Sequence, residues 1–183
     1  MIPSVEMLAE SLAATPHLRA VLVRSANGTW TDAQGSSRGL SSPVDLEWML
    51  RNRTLADCIV VSYGTAFRER YPVQWLVPER LAEPRTLPVV VVSDDNDRRQ
   101  IAADLGHLVT DFAGLPTLLE AHSLANAVVE GGPQLVDRLA ANGQLDVLAL
   151  TSSPTSGSAG HATPALDRWI DSAQTSARWQ DAD

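Results

Sequence analysis

Short apolar runs rich in valine and leucine recur along this chain, and segments with helical spacing lie between them. That alternation constrains the fold more than any other feature. Residues 18–23, 58–61, 89–92, 125–129 and 145–150 read as strands, with residues 107–110 as a weaker sixth. The runs are continuous rather than alternating, as in strands covered on both faces. Ser42-Pro43-Val44-Asp45 is a helix start, with a capping serine and proline at the first helical position. Beyond it Leu46, Met49 and Leu50 form an apolar face, and Arg51 and Arg53 fall in the last turn, where cations suit the helix dipole. Pro133 opens a second helix with Leu135, Val136 and Leu139 on one side and Asn142-Gly143 at its end. Residues 98–105 and 114–121 read as shorter helices. The fold class expected is α/β, a mostly parallel sheet with helices on both faces.

Two stretches break the rhythm. Residues 27–42 are rich in Gly and Ser and read as a long loop, a length usually tied to function or to disorder. Residues 152–161 read as a flexible connector. Beyond it Leu166, Trp169, Ile170 and Ala173 have helical spacing, so a terminal helix is expected to dock its apolar side on the chain's own sheet or on a second subunit.

Composition excludes several chemistries. A net charge of −8 argues against a nucleic-acid partner, which needs a surplus of Lys and Arg. All 14 cationic residues are arginine, so no lysine is present for a Schiff base or a P-loop. Cys58 is the only cysteine, which removes internal disulfides and thiolate zinc clusters; within its apolar run it reads as a small buried side chain. His17, His107, His122 and His161 share no metal-ligand spacing, so no metal is expected. The first fifteen residues lack a signal-peptide pattern and no apolar run is long enough to span a bilayer, so no membrane partner is expected and a soluble, cytoplasmic protein is.

Four segments at strand ends could carry chemistry. Glu130-Gly131-Gly132-Pro133 joins a strand to a helix, where small residues admit a diphosphate to free amides at a positive dipole end. A tight turn that needs positive backbone angles explains the glycines equally well. Val61-Ser62-Tyr63-Gly64-Thr65 repeats the idea after another strand, and open α/β sheets bind ligands along that edge. Arg68-Glu69-Arg70 reads either as a solvated helix face or as a carboxylate handling a proton between arginines that neutralise phosphate. After a third strand, Ser93 with Arg98 and Arg99 could hold the 2′-phosphate that distinguishes NADP from NAD.

In this order the segments resemble the reductase domain of the riboflavin-biosynthesis deaminase-reductase family, the RibD C-terminal domain. The matches are Leu40-Ser41-Ser42-Pro43-Val44-Asp45, Leu50-Arg51 with Ala56-Asp57, Gly64-Thr65 with Glu69, and Glu130-Gly131-Gly132-Pro133-Gln134-Leu135. The last continues into Leu145-Asp146 and Thr151-Ser152-Ser153-Pro154.

The resemblance implies a dihydrofolate-reductase-like three-layer α/β/α fold, NADPH as hydride donor, a homodimer, and reduction of a phosphorylated ribosylaminopyrimidine. It places Gly64, Thr65, Ser93, Glu130, Gly131, Gly132, Pro133 and Leu135 at the cofactor, Asn27, Ser41, Ser42 and Arg51 at the substrate, and Glu69 as the acidic catalytic residue. Residues 1–157 form the nucleotide-binding domain on this reading, and residues 158–183 a tail with a short docking helix. The family's deaminase half has no counterpart here. Asn27 replaces the family's acid in Ser25-Ala26-Asn27-Gly28, and the stretch from Ser93 to Ala125 is short for the family. These departures keep open a non-catalytic member acting as a nucleotide-binding or assembly module.

Overall fold

The apolar runs lie at the centre of a sheet covered on both sides. The computed structural model describes Met7, residues 17–158 and residues 162–172. In chain order the elements are β1 (His17–Arg24), α1 (Pro43–Arg53), β2 (Cys58–Ser62), α2 (Tyr63–Arg68), β3 (Gln74–Leu76), β4 (Thr86–Val92), α3 (Asn96–Asp104), β5 (Leu108–Thr110), α4 (Leu115–Ala121), β6 (Asn126–Val129), α5 (Pro133–Ala141), β7 (Val147–Ser152) and α6 (Pro164–Ser172). The strands run β3-β4-β2-β6-β1-β7, and β5 also pairs with β4. All pairings are parallel except β3 with β4. The outer edge of β4 is shared, with β3 along its first residues and β5 along its last.

Register fixes which side chains meet. One row crosses six strands as Leu148, Ala20, Val129, Val60, Val90 and Leu108. It faces α4, α5 and α6, which add Leu115, Leu135, Val136, Leu139 and Leu166 to one core. The adjacent row, Val147, Arg19, Val128, Ile59 and Val89, points to the opposite face. There Trp48 of α1, Ala66 of α2 and Ala102 of α3 join Ile59, Val128 and Val89 in a second core. The result is a three-layer α/β/α fold in which each fully buried Val or Leu contributes roughly 1.5–3 kcal/mol.

The structure adds elements to the expected set and corrects others. β3, outside the strands expected, is three residues long, antiparallel and at an edge, so it carries no continuous apolar run. The segment after β2 forms the six-residue helix α2, with Ser62 Oγ accepting from the Thr65 amide as its cap. α1 begins at Pro43, with Ser42 Oγ capping the Asp45 amide, but its buried face is Asp45, Trp48, Asn52 and Arg53, while Leu46 is 50% exposed. Arg19 of β1 and Glu130 after β6 hold Asn52 and Arg53 of that face inward. Residues 153–158 are no flexible connector. Ser153 and Ser158 donate their amides to the carbonyls of Arg24 and Thr31, and Thr155 O accepts from Ala26 N.

α6 docks on the chain's own core, with Leu166 buried and the Trp169 indole donating to Leu145 O. Ala173 and His161 lie outside the described residues. Among the described residues no helix is long and apolar enough to cross a membrane, and no three His, Cys, Asp or Glu side chains come together as a metal set.

Candidate functional site

The turns after β2 and β6 meet, because those strands are neighbours and each leads into a helix at the same edge of the sheet. The Gly132 amide donates to Thr65 Oγ1 at 3.3 Å, and Thr65 Oγ1 lies 2.9 Å from Ser62 Oγ. Gly132 is the N-cap of α5, with φ −57° and ψ 164°, and no side chain caps that helix. Pro133 has no N–H and the Leu135 amide donates to Gly132 O at 2.9 Å, so among the described residues Gln134 N is the first-turn amide left without an acceptor at the positive end of the helix dipole. Neither Gly131 nor Gly132 has positive φ, so conformational need does not explain them.

The two glycines differ in what they make room for. A Cβ on Gly131 would collide with the Leu135 side chain, whereas a Cβ on Gly132 would have nothing within 4 Å. Gly64 is similarly open, with only Ser62 Oγ at 4.0 Å. Leu135 thus packs under the turn, and Gly64 and Gly132 border open space next to Thr65 and Pro133, an open cradle at this edge of the sheet.

The Glu130 side chain leaves this cradle for the opposite face of the turn. Its carboxylate accepts from Arg53 Nε at 2.6 Å, Arg53 Nη2 at 2.5 Å and the Tyr71 hydroxyl at 2.9 Å. Both side chains of the ion pair are buried, 8% and 3% exposed. Burial works against the Arg53 charge, but the Glu130 carboxylate outweighs it and holds the guanidinium above its usual value. Burial and the same carboxylate push the Tyr71 hydroxyl up.

Arg53 also lies over the Trp75 ring, 4.3 Å from its centroid. Nearby, Arg19 is 1% exposed within β1 and donates to Asn52 O at 2.8 Å. Burial lowers it to about 10, against the pull of Glu130. This network ties α1, β1 and β6 together directly beneath the glycine turn.

The other expected residues have partners of their own. Asn27 makes a reciprocal pair with the Gly157 backbone, donating from Nδ2 to its carbonyl and accepting at Oδ1 from its amide, both at 2.9 Å. An aspartate could accept but not donate, which gives the amide a structural reason. Ser42 Oγ is committed to the α1 cap, and Ser41 Oγ donates to Ser37 O. Arg51 pairs with Glu47, which also holds Arg80, and sits about 13 Å along α1 from the cap. Glu69 is the C-cap of α2, one turn beyond Thr65, and forms an ion pair with Arg38 of the β1–α1 loop.

At the β4 end Ser93 Oγ accepts from the Asp95 amide, and Ser93 O accepts from Arg99. Arg98 lies over the Tyr63 ring, 5.5 Å from its centroid. Arg138 pairs with Asp94 at 2.7 Å and holds that carboxyl below the usual carboxylate range. A separate cavity of about 320 Å³, between Val73, Pro88, Leu108 and Leu124, opens at the opposite edge of the sheet, where β4 and β5 begin.

The model of the RibD C-terminal domain family matches residues 16–167. The chain belongs to that family. No curated protein matches it. Among solved structures, it resembles a pyrimidine reductase-like protein from Corynebacterium diphtheriae at TM-score 0.68 and 21% identity, covering 84% of this chain and 83% of that one. A riboflavin biosynthesis reductase from Saccharomyces cerevisiae aligns at 0.52 and 12%, covering 78% and 74%. Dihydrofolate reductase from Enterococcus faecalis, solved with NADP(H), aligns at 0.56 and 16%, covering 82% and 78%. These likenesses show a shared fold.

As a RibD C-terminal domain the chain places Gly64, Thr65, Gly131, Gly132 and Pro133 together, with Ser93 one strand further on. Asn27, Ser41, Ser42 and Arg51 are each engaged with another group: the Gly157 backbone, Ser37 O, the Asp45 amide and Glu47. Sequence reasoning missed Arg53, Tyr71 and Arg19. The signal available was an arginine inside an apolar strand and a glutamate ending another, since buried charges require partners.

Proposed function

We propose that this RibD C-terminal domain protein is an NADPH-dependent reductase of a small phosphorylated heterocycle, akin to the ribosylaminopyrimidine phosphates of riboflavin biosynthesis. The observation that carries this reading is the contact between Gly132 N and Thr65 Oγ1, which joins two open strand-to-helix turns into one cradle. The names of the similar structures, a pyrimidine reductase-like protein and a riboflavin biosynthesis reductase, support the choice of substrate class. The cofactor supplies a hydride when bound.

The chain's residues orient and neutralise. Gly64, Thr65, Gly132 and Pro133 hold the diphosphate against the start of α5. Arg53 and Tyr71 fix Glu130, and through it the turn that follows. Ser93 lines the adenosine end, with Arg98 set on Tyr63 as the cation for a 2′-phosphate. Glu69, one helical turn from Thr65, exchanges a proton with the substrate. The reading extends to a cytoplasmic homodimer.

The test is NADPH consumption, followed at its absorbance band, with pyrimidine ribosylamino phosphates as substrates. Turnover that Glu69→Gln reduces at least tenfold is expected, a typical loss for a general acid or base. Binding of NADPH with no turnover on any such pyrimidine leaves the nucleotide-binding module as the function, a reading favoured by the engagement of Glu69 with Arg38.

A further inference from the structure

We propose that Arg38 is an anion-binding residue at the mouth of the cleft, and that it exchanges Glu69 for the phosphate group of an incoming substrate. This rests on the assignment of the cleft under Proposed function. Anion capture by Arg38 and uncovering of the Glu69 carboxylate are then one event.

The backbone that presents Arg38 is already set. Asp32 Oδ1 accepts the amides of Gln34 and Ser36, both at 2.9 Å, and Oδ2 accepts that of Gly39 at 3.1 Å. The Arg38 amide donates to Ser36 Oγ at 3.1 Å. The turn is anchored from outside by Ser158, whose hydroxyl donates to Asp32 O at 2.6 Å and whose amide donates to Thr31 O at 2.9 Å. The Arg38 side chain, by contrast, is 75% exposed, and Glu69 is its ion-pair partner. A rigid turn thus offers a guanidinium that can change partners without moving the main chain.

Charge at the mouth favours the exchange. Arg38 pairs with the single carboxylate of Glu69, and Arg68 and Arg70 flank it in sequence, a local excess of cations in a chain of net charge −8. Among the described residues Arg68 and Arg70 are exposed and form no ion pair. An exposed ion pair is weakly held in water. A phosphate dianion offers a guanidinium two parallel hydrogen bonds and twice the charge of a carboxylate. The flanking arginines raise the local concentration of such anions. Glu69 is fixed one helical turn from Thr65, its amide donating to Thr65 O at 2.9 Å, so releasing Arg38 leaves a carboxylate held beside the glycine cradle.

The experiment titrates the full chain with ribose 5-phosphate, and with ribose as control, by calorimetry at low salt. The wild type is expected to bind ribose 5-phosphate in the millimolar range and not to bind ribose. Arg38→Ala should weaken that binding about tenfold, the scale of a charge-assisted pair. Glu69→Gln removes the competitor and should tighten it by roughly threefold or more. Opposite effects of the two substitutions are the signature of exchange. Absence of binding by the wild type, equal affinity in Arg38→Ala, or weaker binding in Glu69→Gln overturns the proposal. NADPH affinity, measured separately on Arg38→Ala, should be unchanged. Loss of NADPH binding by the wild type alongside an intact ribose 5-phosphate pattern would refute the reductase reading and leave the anion site standing.

Discussion

The amide of Gly132 donates to Thr65 Oγ1 at 3.3 Å, joining two turns 67 residues apart in sequence. Gly131, its neighbour, packs against Leu135, while Gly132 borders open space. The two glycines should therefore respond differently to a methyl group. Gly131→Ala is expected to cost about 1–3 kcal/mol, as overpacking does, and Gly132→Ala to stay within about 0.5 kcal/mol of wild type. Urea unfolding midpoints separate them; equal losses would contradict the division.

Arg53 and Glu130 form the buried pair under that turn. Arg53→Met leaves the carboxylate buried with the Tyr71 hydroxyl as its remaining partner and should cost about 3–5 kcal/mol. Adding Glu130→Gln removes the stranded charge, so the double variant should be more stable than Arg53→Met alone. A double-mutant cycle with no coupling would exclude the pair as an organising contact.

Asn27→Asp restores an acid at the cost of the bond donated to Gly157 O. A loss of about 0.5–1.5 kcal/mol is expected from one broken hydrogen bond and a carboxylate facing a carbonyl. Thermal unfolding should fall by roughly 2–4 °C per kcal/mol for a chain of this size. An unchanged or higher midpoint would show that the reciprocal pair does not hold the loop.

Cys58 is fully buried in β2, where burial and the neighbouring Asp57 push its thiol from 9.0 to about 12. The folded state binds that proton more tightly than the unfolded state. Its contribution is complete below pH 9.0 and is lost as pH rises toward about 12. Cys58→Ala should flatten the fall in stability over that window. A thiol reagent at pH 8 should label the native protein negligibly and the denatured protein once; rapid native labelling would contradict the burial.

Much of the fold was legible because its strands are buried on both faces. Val60, Val61, Val89 and Val128 announce themselves as apolar runs for that reason. Pro133 and Ser42 marked helix starts by chemistry that depends on local sequence alone. β3 escaped notice because an edge strand of three residues needs no pattern, and α2 because six residues opening Tyr-Gly-Thr resemble a turn. At the site, the glycine turns were readable from their own residues. The fate of Glu130 was not, since it is decided by Arg53 and Tyr71, 77 and 59 positions away. Asn27 pairs across 130 positions with a backbone, which leaves no side-chain signature at all.

NADPH binding to the wild type and to Gly132→Val, measured by calorimetry, bears most directly on the cradle. Micromolar binding by the wild type is expected, with affinity reduced at least a hundredfold in Gly132→Val, about 2.7 kcal/mol, and with thermal unfolding of the free protein little changed. Equal affinity in the two proteins, or no binding by either at millimolar NADPH, would contradict the account.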